Sequence, residues 1–155
     1  MNYSLDDWMP EEPDFNLFHI HSHIKDYRIC WALNEEFRCK MVRVDDFLEE
    51  EEKPELATYS QFYWKDEIMH REFYLICNKP TNGSSVAKPG EMFAAESREM
   101  LIPELSKVDY FLQVYGQYSG SDLDEIENDL NMMSLVNAAK LVDPSSAKFY
   151  LNLMH

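Results

Sequence analysis

A run of aromatic and branched residues gives way to apolar positions every three or four residues, and then to apolar positions alternating with cationic or small ones, and each change of pattern predicts an element. Residues 15–21, FNLFHIH, are rich in aromatic and branched side chains and predict a strand. Ser22 is a candidate helix N-cap, and behind it Ile24, Tyr27 and Trp31 fall at i, i+3 and i+7 with Cys30 beside them. This predicts a helix over 23–34 that buries Tyr27 and Trp31 and turns Lys25, Asp26 and Arg28 to solvent. Residues 37–44, FRCKMVRV, predict a second strand, followed by an acidic connection over 45–55. The runs 58–64 and 69–77 flank a short link and predict a hairpin. Asn82, Gly83, Ser84 and Ser85, followed by Lys88, Pro89 and Gly90, predict a mobile loop.

In the C-terminal third, residues 100–104 predict a short strand ended by Pro103, and 107–116 the clearest strand of the chain. Ser121 with Asp124 three residues on resembles a capping box, and Leu123, Ile126, Leu130 and Met133 hold a helical stripe. The acids of that helix sit in its first turns, where the helix dipole favours negative charge. Residues 135–143 predict a closing strand. Two β-α-β-like segments, 15–44 and 108–143, thus bracket a hairpin. The expected fold class is α+β: a mostly antiparallel sheet with two helices on one face, on a ferredoxin-like or split β-α-β plan with an inserted hairpin. The expected organisation is an irregular acidic arm over 1–14 and a single domain over 15–155.

A chain of 155 residues, 45% hydrophobic and 14% aromatic, can bury a core without staples and is too apolar to be disordered. Its charge changes the picture more. Three segments carry the whole net charge of −15: Asp6, Asp7, Glu11 and Glu12 in the arm; Asp45, Asp46, Glu49, Glu50, Glu51, Glu52 and Glu55 against Lys53 in the connection; and Asp122, Asp124, Glu125, Glu127 and Asp129 in the second helix. The rest is electrically even. A field of this sign repels phosphate backbones, which argues against direct nucleic-acid binding, and it speeds association with a basic protein surface.

No run approaches the roughly 18 apolar residues of a membrane helix, and the acidic start is unlike a secretory signal, so no membrane association and a cytoplasmic location are expected. Cys30, Cys39 and Cys77 are widely spaced with no CxxC, and read as buried reduced thiols.

Two segments, HIKDYRICWALN and LIPELSKVDYFLQVYG, resemble the small bacterial IPExxxDY family, with Ile102, Pro103, Glu104, Asp109 and Tyr110 as the motif. Here four residues, 105–108, separate the two halves where the family label has three. The resemblance spans about residues 15–143 and implies no activity, substrate or cofactor.

Among candidate sites, His19, His21 and His23 stand at every second position, but only His19 and His21 share a strand face once the chain turns helical. A metal needs a third ligand at least, so the pair reads as imidazoles on a half-exposed sheet face. Glu104, Asp109 and Tyr110 read as turn and core residues before acid–base groups. The methionines 132, 133 and 154 and the tail FYLNLMH form an adaptable contact surface if exposed. No Ser-His-Asp order, glycine-rich phosphate loop or HExxH occurs. The leading expectation is therefore a non-enzymatic binding or adaptor protein without a cofactor, meeting a basic partner through Glu49, Glu50, Glu51 and Glu52, alongside an aromatic patch of Tyr59, Phe62, Tyr63 and Trp64. Two alternatives are a small hydrolase-like or metal-dependent enzyme using His19 and His21 with nearby carboxylates, and a structural subunit of a larger assembly.

Overall fold

The computed structural model describes residues 13–48, 56–81 and 99–155. The arm up to residue 12, Glu49 to Glu52, and the loop expected over 82–90 lie outside the described residues. The order of elements is β1 (Asn16–His21), α1 (Asp26–Phe37), β2 (Val42–Phe47), β3 (Tyr59–Asp66), β4 (Arg71–Cys77), β5 (Tyr110–Tyr115), α2 (Gly120–Met132) and β6 (Ala138–Val142). The six strands form one sheet in the order β2-β3-β4-β5-β1-β6, with every neighbouring pair antiparallel.

This is the expected α+β architecture. Both β5 and β6 run antiparallel to the β1 strand between them, so β5-α2-β6 is a split β-α-β unit. The β3–β4 hairpin is inserted between β2 and β5, which carries β2 to the far edge. Both helices pack on the same face. Ile29, Cys30 and Leu33 of α1 and Leu130 of α2 join Phe18, Ile20, Leu75, Leu112 and Val114 of the sheet in one buried cluster. On the other face Leu17, Ile76 and Phe111 are covered by Tyr150 and Leu153 of a C-terminal 3-10 segment, Lys148–Leu153. The tail is therefore not an exposed contact surface; it is the lid of the chain's own second core.

The first helix begins and faces differently from expectation. Ser22 does not cap it: its hydroxyl donates to the Leu135 carbonyl at 2.6 Å and accepts from the Ile24 N–H at 3.2 Å. The helix starts at Asp26, ends on a left-handed Arg38, and presents Ile29, Cys30 and Leu33 to the sheet. Phe37 continues this stripe and meets Phe73 edge-on at 6.3 Å. Two apolar stripes compete on this helix, and the aliphatic one, which can interdigitate with the flat strand side chains, wins the core. Tyr27 and Trp31 are consequently turned outward, 60% and 64% exposed. Phe37 falls in the helix, so β2 starts five residues later than expected and takes in Asp45 and Asp46. Asn34 locks the connection: its side-chain oxygen accepts from Met41 N–H at 2.8 Å while its amide donates to the Met41 carbonyl at 3.1 Å.

The expected strand over 100–104 is absent. Leu101 and Ile102 make no ladder; their N–H groups go to the main-chain and side-chain oxygens of Asn78, at 2.8 and 2.9 Å. Pro103, lacking an N–H, opens a 3-10 turn, Pro103–Leu105. The second helix is capped two residues earlier than expected. Ser119 and Asp122 exchange side-chain to N–H bonds of 3.0 and 3.1 Å, a complete capping box. At its far end Asn131 and Glu127 accept from the N–H groups of Ala139 and Leu141, at 2.9 and 2.6 Å. These bonds occupy β6, an edge strand that would otherwise offer free pairing groups.

Candidate functional site

The residues singled out by sequence fall into three places. The motif residues form a structural joint. Asp109 accepts the Ser22 N–H at 2.8 Å, and its own N–H goes to the Ile20 carbonyl at 3.0 Å. The buried Tyr110 hydroxyl donates to the Ile24 carbonyl at 2.5 Å. Burial raises the Tyr110 phenol well above its ordinary value, so it stays a donor. Fully buried Asn78 holds the preceding turn, donating to the Leu105 and Val108 carbonyls at 3.0 and 2.9 Å. Ile102 is fully buried, whereas Pro103 and Glu104 are exposed. The turn thus clamps the β1–α1 connection to the start of β5.

The histidines are not a half-exposed pair. His19 is buried, hydrogen-bonded to the Tyr150 hydroxyl at 2.9 Å and edge-on to Phe111 at 5.7 Å. Burial, with His21 and Lys140 nearby, lowers its pKa to about 4, so the ring is neutral. His21 donates from Nδ1 to the Lys107 carbonyl at 2.8 Å. Among the described residues no three His, Cys, Asp or Glu side chains are grouped so as to hold a metal. Sequence alternation placed the two on one face; it had no means of showing that the C-terminal segment folds over that face.

The aromatic patch does not assemble. Tyr59 and Phe62 are buried, and Tyr63 and Trp64, being consecutive in β3, point to opposite faces. Trp64 packs on Phe73 at 5.2 Å on the helix side, while Tyr63 lies 4.6 Å from Tyr74 on the other.

Two surface features stand out instead. The first is on the helices. Trp31, Ala32, Glu35 and Glu36 of α1 face Met133, Ser134 and Leu135, just beyond α2, across a groove of about 260 Å³. Tyr27 lies one turn before Trp31, and Met132 is 84% exposed. Both charged side chains of the groove are acidic. The adjoining α2 contains no lysine or arginine. Among the described residues its Asp124, Glu125 and Asp129 make no ion pair, in contrast to Asp26 and Asp46, which both meet Arg43. Asp122 and Glu127 are engaged in the cap and in β6. The segregation of charge read from sequence thus survives on α2, whereas part of the acid of 45–55 is neutralised within β2.

The second feature is a cleft of about 270 Å³ on the opposite face, lined by Asp14, Glu72, Tyr74, Tyr115, Met154 and His155. Strand register builds it: Glu72 is paired with Tyr115, and Tyr74 with Tyr63. The Tyr63 hydroxyl donates to Glu72 Oε1 at 2.5 Å. Burial and that carboxylate raise the Tyr63 phenol well above its usual range, and burial does the same to Tyr115. The cleft was not legible in the sequence, because its six residues come from four distant stretches. No helix among the described residues is long and apolar enough to cross a membrane. No protein-family model, curated protein or solved structure matches the chain.

Proposed function

We propose that the protein is a non-enzymatic, cytoplasmic binding or adaptor protein that meets a basic partner protein through the surface of its two helices. The observation that carries this reading is the groove between Trp31 and Met133, whose charged side chains, Glu35 and Glu36, are both acidic and which adjoins α2, whose Asp124, Glu125 and Asp129 make no ion pair among the described residues. Exposed aromatic and methionine side chains supply area that desolvates on contact, and the acids steer and orient a cationic segment. A segment carrying lysines or arginines beside one or two apolar anchors fits this chemistry; a nucleic-acid backbone does not.

We infer also that the chain belongs with the IPExxxDY family. The support is that the two segments carrying the resemblance meet in space through Tyr110 with Ile24, while Asp109 holds Ser22, the residue just before the first segment. Such a joint is a reason for those residue types to occur together.

The test is affinity purification from the native cell with three baits: the wild type, Trp31→Ala, and the double variant Glu35→Lys with Glu36→Lys. A partner retained at low salt, released by salt and lost with both altered baits is the expected result. A partner indifferent to salt and to all three changes overturns the reading.

A further inference from the structure

The two edges of the sheet are finished differently. Along β6, side chains of α2 take up main-chain groups: Asn131 accepts from the Ala139 N–H and donates to its carbonyl, both at 2.9 Å, and Glu127 accepts from the Leu141 N–H. Along β2, the other edge, no side chain does so from the outer side among the described residues. The side-chain bond that its main chain does receive, from Gln61 Nε2 to the Asp45 carbonyl at 2.9 Å, comes from β3 on the inner side. An open edge is a template for another strand, and its side chains decide which one. In β2, Arg43 stands in the first half and Asp45 and Asp46 in the second. Regular alternation puts residues three apart on opposite faces, but the pairing of β2 with β3 is irregular between Val44 and Phe47, and Arg43 reaches Asp46 on its own face. That is the helix face: the Arg43 guanidinium lies 5.6 Å from the Phe62 ring and 3.6 Å from Asp26 of α1. Val42 and Phe47 are on the other face, Val42 exposed beside Tyr63 and Phe47 in the cluster beneath the C-terminal segment.

We propose that β2 pairs antiparallel with β2 of a second copy of this chain, about a two-fold axis passing between Val44 and Asp45. Residues directly opposite each other in such a pair share a face, and two-fold symmetry makes every contact occur twice. In this register Arg43 lies opposite Asp46 of the second copy on the helix face, and Val42 lies opposite Phe47 of the second copy on the other face. Without the irregularity Arg43 and Asp46 would stand on opposite faces, and the edge would not match itself. Two chains of net charge −15 repel at long range, but physiological salt screens that repulsion beyond about 8 Å, whereas the paired charges and main-chain groups meet at contact. The axis stands perpendicular to the sheet, so two six-stranded sheets continue into one with the helices of both copies on the same face. Both helix grooves then look the same way and can hold one partner at two points. The pairing itself does not depend on what the grooves bind.

The test is sedimentation equilibrium of the full chain at physiological salt, with circular dichroism to verify that each variant is folded. The wild type is expected to move from the mass of one chain towards that of two as its concentration rises. Arg43→Asp leaves an edge with acids only, and Asp46→Arg sets Arg43 opposite an arginine, so each single variant is expected to dimerise more weakly by about tenfold or more. Mixed in equal amounts, the two single variants restore opposite charges across the axis and are expected to form a heterodimer. The double variant, Arg43→Asp with Asp46→Arg, reverses every pair, within the chain and between chains, and is expected to dimerise as the wild type does. A wild type that stays at the mass of one chain up to concentrations on the order of millimolar overturns the proposal. So does a dimer that both single variants keep, which places the contact elsewhere on the molecule, and so does a mixture of folded single variants that shows no more association than either alone.

Discussion

On the helix side of the sheet Phe18, Ile20, Leu75, Leu112 and Val114 meet Ile29, Leu33 and Leu130, an aliphatic and aromatic contact joined by Cys30, Cys39, Met41 and the Tyr110 ring. On the other side Leu17, Ile76 and Phe111 share their rows with His19 and Gln113 and are roofed by six residues of 3-10 turn. Two helices present wide apolar stripes and seal a surface by packing alone. A short 3-10 segment covers less, and its polar groups need partners, which the sheet supplies: Gln113 donates to the Leu153 carbonyl at 2.7 Å, and His19 meets the Tyr150 hydroxyl. Gln113 Oε1 has no partner among the described residues. A thinner cover therefore goes with a more polar sheet face, and it is at the margin of that cover that the aromatic and acidic cleft opens.

The comparison breaks most easily at its apolar half. Leu33→Ala removes the centre of the α1 stripe and is expected to cost about 3 kcal/mol in denaturant unfolding, because a filled site becomes a cavity. The opposite face is distinguished by acid. Above pH 6.5 His19 is neutral folded or unfolded; below it the unfolded chain takes up a proton that the buried ring, at about 4, still refuses. Stability is thus lost progressively as pH falls from 6.5 towards 4, by up to about 3 kcal/mol. Unfolding curves of wild type and His19→Gln across that window should converge as pH falls.

The buried thiols of the helix side contribute nothing of this kind, since burial pushes the Cys30 thiol up to about 12 and the Cys39 thiol up to about 11. Tyr150→Phe isolates the roof: deleting one hydroxyl leaves His19 without its bond and is expected to cost about 1 kcal/mol, read as a shift in thermal midpoint. The smallest effect belongs to Trp31→Ala. A core tryptophan would cost several kcal/mol, but this exposed one should change stability by no more than about 0.5 kcal/mol, while its fluorescence reports any partner.

Much of the fold was legible because its signals are local. Runs of aromatic and branched residues marked β1, the β3–β4 hairpin and β5, and the stripe Leu123, Ile126, Leu130 marked α2 to within a few residues. Element ends were less legible where two local solutions coexist: Ser119 with Asp122 and Ser121 with Asp124 both spell a cap, and only the first forms. The strand expected over 100–104 failed for a different reason. Its Leu101 and Ile102 N–H groups found Asn78, 23 and 24 positions away in the chain, and no local pattern announces such a partner.

Side-chain period is a property of neighbours along the chain, and so the kinds of element, their order and the α+β class follow from residue order alone. Which stripe of α1 turns inward, that His19 is sealed beneath Tyr150, and that Asp14, Glu72, Tyr74 and His155 share one cleft depend on contacts between remote segments. Those contacts exist only once the sheet has chosen a cover for each face, because burial is decided by what lies on top of a residue, and residues next to it in the chain do not specify that.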